Sequence, residues 1–158
     1  MKDVFFLRQR GSLIFNDILI VCVGNICRSP AAERILQKKL PLKHISSAGL
    51  NAVVDHGIDD KVSELMIANG YDPKNHKARK LEGHMMGSAD LILVMEQGHK
   101  SAIIKKYPEA SGKVMMIGLW CDNIGIQDPF RKSTEAYRQV FEQIEKSCLL
   151  WIERLKES

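Results

Sequence analysis
Two residues in the string Ile18-Leu19-Ile20-Val21-Cys22-Val23-Gly24-Asn25-Ile26-Cys27-Arg28-Ser29-Pro30 carry complementary chemistry. The nucleophilic form of cysteine is the thiolate, which is favoured beside cations, helix N-termini and backbone N–H groups. The arginine guanidinium is a planar fork of donors that matches two oxygens of a phosphate. Cys22 and Arg28 are separated by five residues, so thiol and fork can meet across one loop. An oxyanion held there is open to in-line attack on phosphorus by sulfur. The fork and the loop's N–H groups would hold the equatorial oxygens as charge redistributes. A cysteinyl-phosphate intermediate is the expected consequence.

Such an arrangement needs a strand, a tight loop and a helix in succession. Ile18 to Val21 is an apolar, β-branched run suited to a buried strand. Gly24-Asn25 breaks the run with two residues that tolerate positive φ. Ser29 suits an N-cap and Pro30 a first helical position. The helix dipole and the inward-curling N–H groups would make the loop an anion cradle. If Cys22 and Cys27 were only buried small residues, the turn and cap residues between and after them would have no reason to be there.

The Cys-x5-Arg-Ser spacing resembles the signature of cysteine-dependent phosphatases, and the full string Val21 to Pro30 resembles the low-molecular-weight protein tyrosine phosphatase family. The resemblance covers roughly residues 14 to 155. It implies an α/β fold in one domain: a central four-stranded parallel sheet with helices on both faces and the phosphate-binding loop after the first strand. It also implies Cys22 and Arg28 as catalytic residues, with Val23, Gly24, Asn25, Ile26, Cys27 and Ser29 forming the phosphate-binding loop. Ser46 or Ser47 would brace Asn25, and His76 would support the loop through the same asparagine; for each, a locally bonded residue is the plainer alternative. A Cys22–Cys27 disulfide protects the nucleophile in the family, but sequence alone does not bring the two Cβ atoms together.

A departing phenolate has a conjugate acid of pKa about 10, so a proton donor opposite the thiol would assist it. Asp128, in Gln127-Asp128-Pro129-Phe130, is the candidate, since proline holds the preceding residue extended. Asp-Pro is equally an ordinary turn; the position between the last strand and the final helix resembles the family's acid loop and assigns the acid to Asp128. Phe130 stands where the family lines its pocket with an aromatic, with Val53 expected to face it across a slot that suits a planar phenyl phosphate. Met95-Glu96, Gly112 to Met115 and Asp128 to Arg131 resemble the bacterial branch associated with capsule and exopolysaccharide clusters. That resemblance implies a phosphotyrosine protein substrate, the tyrosine-rich tail of a membrane tyrosine autokinase.

Around these residues the chain alternates strand and helix. A helix is expected over Ala31–Leu40 and a strand over His44–Ala48. Asp59 or Asp60 caps a helix that stops at Asn69-Gly70. A short irregular helix lies within Asn75–Gly87, a strand over Ala89–Met95, a helix over Gln97–Tyr107 and a strand over Lys113–Ile117. A final helix from Ser133 to about Leu155 carries Tyr137, Val140, Phe141, Ile144, Cys148, Trp151, Ile152 and Leu155 on one stripe. This alternation argues a parallel sheet, with ligands bound beyond its C-terminal edge. Residues 1–17 fall outside the periodic pattern and the resemblance begins at about Ile14, so 1–13 read as an N-terminal extension, an upstream start or a vector-derived remnant, and the resemblance implies 14–158 as the phosphatase domain.

The 158 residues suit one domain, and the net charge of +4 is modest. Without a basic run interleaved with aromatics, nucleic-acid binding is not expected, and no apolar run is long enough for membrane insertion. Four cysteines fit no secreted framework, so a cytoplasmic enzyme is expected. No cofactor and no metal are called for, the five histidines being scattered with no helical i, i+4 pair. A monomer or weak dimer is expected. Thioredoxin-coupled arsenate reductases share the Cys-x5-Arg loop but need two further neighbouring cysteines, absent from residues 75–95 here. Arginine phosphatases of the same fold carry threonine where Ile26 stands. An idle phosphotyrosine-binding module would need neither Cys22 nor Asp128.

Overall fold
Along β1 (Asp17–Cys22) the side chains alternate between two cores. Ile18, Ile20 and Cys22 enter one apolar cluster, Leu19 and Val21 the other. A strand buried on both faces reads as a continuous apolar run, which is the pattern of a parallel sheet covered by helices on each side. The structure, a computed structural model, describes residues 15–156. The expected N-terminal extension, residues 1–13, lies outside the described residues.

Four strands, β1, β2 (His44–Gly49), β3 (Leu91–Val94) and β4 (Val114–Met116), pair in parallel in the order β2-β1-β3-β4. Successive crossovers leave β1 on opposite sides, so the loop after β1 sits where the strand order reverses, the usual ligand site of such sheets. One face is covered by α1 (Arg28–Lys39), α2 (Asp60–Ala68) and α5 (Thr134–Leu155). The other carries α3 (Gly83–Ser88) and α4 (Gln97–Lys106), through Met85, Met86 and Ile103. Short 3₁₀ turns, Pro108–Lys113 and Ile117–Trp120, flank β4.

Local chemistry fixes the helix ends. Asp59 Oδ1 accepts from the N–H groups of Lys61 and Val62 at 3.0 and 3.2 Å, so Asp59 is the cap of α2. Gly70, at φ 86°, follows its end. Ser133 caps α5 through Ala136 N–H at 3.1 Å. The apolar stripe of α5 packs as expected: Trp151 is fully buried and its indole N–H donates to Ile117 O at 2.8 Å.

Two local expectations are corrected. The helix expected from Ser29-Pro30 begins at Arg28 with Cys27 in the cap position, and no side chain caps it. Pro30 still lies in the first turn, where its missing N–H costs nothing. The irregular helix expected within 75–87 shrinks to α3, because residues 79–81 pair instead with the end of β2. Gly49 N–H donates to Arg79 O and Leu81 N–H to Gly49 O, each at 2.9 Å. No helix among the described residues is long and apolar enough to cross a membrane.

Candidate active site
The loop from Cys22 to Cys27 is shaped from outside, by its carbonyls. Cys22 O accepts from Leu50 N–H at 2.9 Å, Val23 O from Asn51 N–H at 3.0 Å and Gly24 O from Val53 N–H at 3.0 Å. Asn25 O accepts from His76 Nε2 at 2.7 Å and Ile26 O from Asp59 N–H at 2.9 Å. Five successive carbonyls are thus tied outward. The peptide planes carry their N–H groups the other way, and among the described residues none from Gly24 to Cys27 has a backbone acceptor. This is a nest of donors for an anion, extended by the free N–H groups of the first turn of α1. The approach of residues 50–53 requires Gly49: a Cβ there would lie 2.3 Å from Val23 O.

Asn25 is the inner brace. It is fully buried at φ 59°, a conformation asparagine tolerates better than most residues. Its amide donates to Ser29 Oγ at 2.8 Å and Ser47 Oγ at 2.9 Å, and its Oδ1 accepts from Arg79 N–H at 3.0 Å. Ser29 Oγ lies 2.8 Å from Cys22 Sγ. When the sulfur is ionised only the hydroxyl can donate, so the chain Asn25 to Ser29 to Cys22 ends in a hydrogen bond on the Cys22 sulfur. Ser29, expected as a helix cap, is therefore a partner of the thiol instead. Of the two serines, Ser47 reaches Asn25, while Ser46 lines a cleft with Asp17, His44 and Arg79. Side chains alternate across a strand, so only one of two neighbours can face the loop.

Arg28 is 2% exposed, and its Nη1 donates to Glu96 Oε2 and to Ile126 O, both at 2.8 Å. Its Nη2 lies 3.9 Å from Asp128 Oδ2. Asp128 anchors one oxygen, Oδ1, on Phe130 N–H at 3.0 Å, which leaves Oδ2 toward the arginine. The segment that carries it is tied down by Ile126 N–H donating to Met95 O at 2.8 Å. It is also packed against Gly118, where a Cβ would meet Ile124 O at 2.2 Å.

Cys22 to Arg28, Asn51, Val53, Asp128 and Phe130 line one cleft of about 210 Å³. An apolar cavity of about 150 Å³ holds benzene, so a phenyl ring with part of its phosphate fits. Val53 and Phe130 are large apolar residues left 47% and 43% exposed at its mouth, where a ring would cover them. Burial, with the nearby charges of Asp59 and Asp128, pushes the Cys27 thiol far above the ordinary cysteine range, so it stays neutral. Tyr137, whose hydroxyl donates to Asp59 Oδ2 at 3.3 Å, is pushed up to about 12, chiefly by burial. No group of three potential metal-ligating side chains occurs among the described residues.

The structure brings Cys22, Arg28, Asp128, Val53 and Phe130 to one cleft, with His76 and Ser47 behind it; sequence reasoning left Ser46 and Ser47 undecided. It missed Glu96, the partner of Arg28, although a charged residue just past a buried strand's C-terminal end is a recognisable signal. It also missed the backbone donors of residues 50–53 and 79, which no side chain announces.

A sequence profile described as "Low molecular weight phosphotyrosine protein phosphatase" matches residues 17–158. The chain is 41% identical over 145 residues to the low molecular weight protein-tyrosine-phosphatase Etp of Escherichia coli, covering 92% of this chain and 98% of that one. Among solved structures, Vibrio vulnificus Wzb in complex with benzylphosphonate aligns with a TM-score of 0.87 at 41% identity, over 89% of this chain and 99% of that one. The tyrosine phosphatase Wzb from Escherichia coli K30, in complex with sulphate, aligns with a TM-score of 0.87 at 42% identity, over 90% and 99%.

Proposed function
The chain belongs to the low molecular weight phosphotyrosine protein phosphatase family, and we propose that it hydrolyses phosphotyrosine with Cys22 as nucleophile, Arg28 as clamp and Asp128 as acid and base. The observation that carries this reading is the convergence of the three side chains on one cleft whose floor is a nest of free N–H groups. The phosphate oxygens lie in the nest and against the arginine fork. The Cys22 sulfur attacks phosphorus in line, forming the S–P bond as the P–O bond to tyrosine breaks. Asp128 gives its proton to the departing phenolate, and Ser29 supports the sulfur before attack. In the second step Asp128, now a carboxylate, takes a proton from water, which attacks phosphorus and releases phosphate and the Cys22 sulfur. Val53 and Phe130 flank the ring. A benzylphosphonate held by the Vibrio vulnificus relative is a ring joined to a phosphonate, which is the shape this slot suits.

The substrate in this reading is a phosphotyrosine tail of a membrane tyrosine autokinase serving exopolysaccharide or capsule export. Its support is the similarity to the Wzb, Etp and AmsI branch. The residue roles are tested by leaving-group dependence. Asp128→Ala should slow the first step with phenyl phosphate by about 10²–10⁴-fold, and much less with an activated aryl phosphate that needs little protonation. Single-turnover kinetics isolate that step from the water attack. Equal slowing of both substrates would make Asp128 structural and place the acid elsewhere.

A further inference from the structure
Glu96 holds Arg28, and something must hold Glu96. Its side chain is 39% exposed just beyond β3, and a glutamate with three rotatable bonds at the surface has water as an alternative partner. His99, in the first turn of α4, is 7% exposed and lies against Glu96 at both ring nitrogens. Its Nδ1 accepts from Glu96 N–H at 3.2 Å, and its Nε2 lies 3.3 Å from Glu96 Oε2. An Nδ1 that accepts carries no proton, so the proton of the neutral ring sits on Nε2, the ring atom nearest the carboxylate. Burial favours that neutral ring, and the Arg28 charge adds to the effect.

Glu96 Oε2 accepts from Arg28 Nη1 and has the polar edge of His99, Nε2, packed 3.3 Å away, while the other hydrogen of Nη1 goes to Ile126 O. With Nη1 committed to protein on both hydrogens, Nε and Nη2 are the edge left for a ligand. We propose that His99 is a positioning residue for this phosphatase, locking Glu96 so that Arg28 presents its Nε–Nη2 edge to the phosphate. This rests on the clamp role of Arg28. His99 does not touch the substrate; it acts through two intervening groups, accepting from the Glu96 N–H while the polar Nε2 edge of its neutral ring faces the Glu96 carboxylate.

A rival role is helix capping alone, since an N3 side chain reaching back to the N-cap N–H is a capping-box contact. His99→Gln and His99→Glu separate the two. Both keep an acceptor for Glu96 N–H, but only glutamine keeps a donor for the carboxylate, and glutamate sets a like charge against it. With p-nitrophenyl phosphate, His99→Gln should stay within about threefold of wild-type kcat/KM and His99→Glu should lose about tenfold or more. Inhibition by inorganic phosphate should weaken in the same order, with thermal midpoints recorded for each variant. In an Arg28→Lys background, which has no planar fork to aim, His99→Glu should add no further loss. Should His99→Glu fail to fold, His99→Leu carries the same cycle against Arg28→Lys. Equal kcat/KM for the glutamine and glutamate variants, or an undiminished loss in the lysine background, would overturn the positioning role while leaving the clamp intact. Full activity of Arg28→Lys alone would instead remove the clamp and the positioning role together.

Discussion

Asn25 concentrates more of the site than any other single side chain, and removing its amide should cost both stability and rate. Asn25→Ala deletes three hydrogen bonds, to Ser29, Ser47 and Arg79 N–H, at a position with no exposure to solvent. At about 0.5–1.5 kcal/mol each these are worth roughly 1.5–4.5 kcal/mol. The backbone stays at φ 59°, which costs alanine about 1–2 kcal/mol more. A loss of about 2.5–6.5 kcal/mol is a large share of the roughly 5–15 kcal/mol that holds a domain folded. With a urea m-value of about 2 kcal/mol/M, the midpoint should fall by roughly 2 M. Asn25→Asp separates rate from stability. It keeps the acceptor for Arg79 N–H but has no donor for the hydroxyls, so Ser29 O–H turns to the new carboxylate and away from Cys22. Its urea midpoint should fall less than that of the alanine variant, while its kcat/KM should drop at least about tenfold. An Asn25→Asp enzyme with wild-type kcat/KM would refute the Asn25–Ser29–Cys22 chain, and an Asn25→Ala midpoint within about 0.5 M of wild type would refute the energetic reasoning.

Gly49→Ala must push residues 50–53 off the loop they shape, because its Cβ would sit 2.3 Å from Val23 O; kcat/KM and phosphate inhibition should both weaken, with a stability loss of about 1–3 kcal/mol by urea unfolding. Trp151→Ala removes a fully buried indole and its bond to Ile117 O, outside the cleft lined by Cys22; unfolding should show a loss of about 3–5 kcal/mol while the folded fraction keeps near-normal KM. Cys27 is held as a neutral thiol by burial, so iodoacetamide at neutral pH should label Cys22 well before Cys27, and inorganic phosphate should protect Cys22 while leaving the half-exposed Cys121 reactive. Peptide mapping by mass spectrometry reads both results.

Most of the fold was legible because its signals are repetitive. Apolar runs of strand length, separated by helical periodicities and stopped at Asn69-Gly70 or before Pro41 and Pro108, leave few arrangements besides a covered parallel sheet. Which residues meet at the site was legible where a side chain announces itself: Cys22, Arg28 and Asp128 line one cleft. It was not legible where one residue has two good uses. Ser29 is as suited to capping a helix as to bonding a sulfur, and only the three-dimensional placement of Asn25 decides between them. Ser46 and Ser47 were undecided because apolar residues stand on both faces of β2, with Ile45 in one core and Ala48 in the other. The outward ties of the loop carbonyls run to backbone N–H groups, which every residue but proline possesses, so no residue type marks them. Glu96 and His99 lay in plain view, but their tie to Arg28 spans 68 residues and depends on β1 and β3 being neighbours.

The central claim is that the Cys22 sulfur takes the phosphoryl group from the substrate. Rapid mixing of the enzyme with p-nitrophenyl phosphate, acid quenching within the first turnover and mass spectrometry of the peptides tests this directly. The peptide carrying Cys22 should gain one phosphoryl group, on sulfur, that forms as nitrophenol is released and decays as inorganic phosphate appears. Cys22→Ser should show no such kinetically competent cycle. Full turnover with no phosphoryl group on Cys22, or with the group on Ser29, Cys27 or His76, would contradict it.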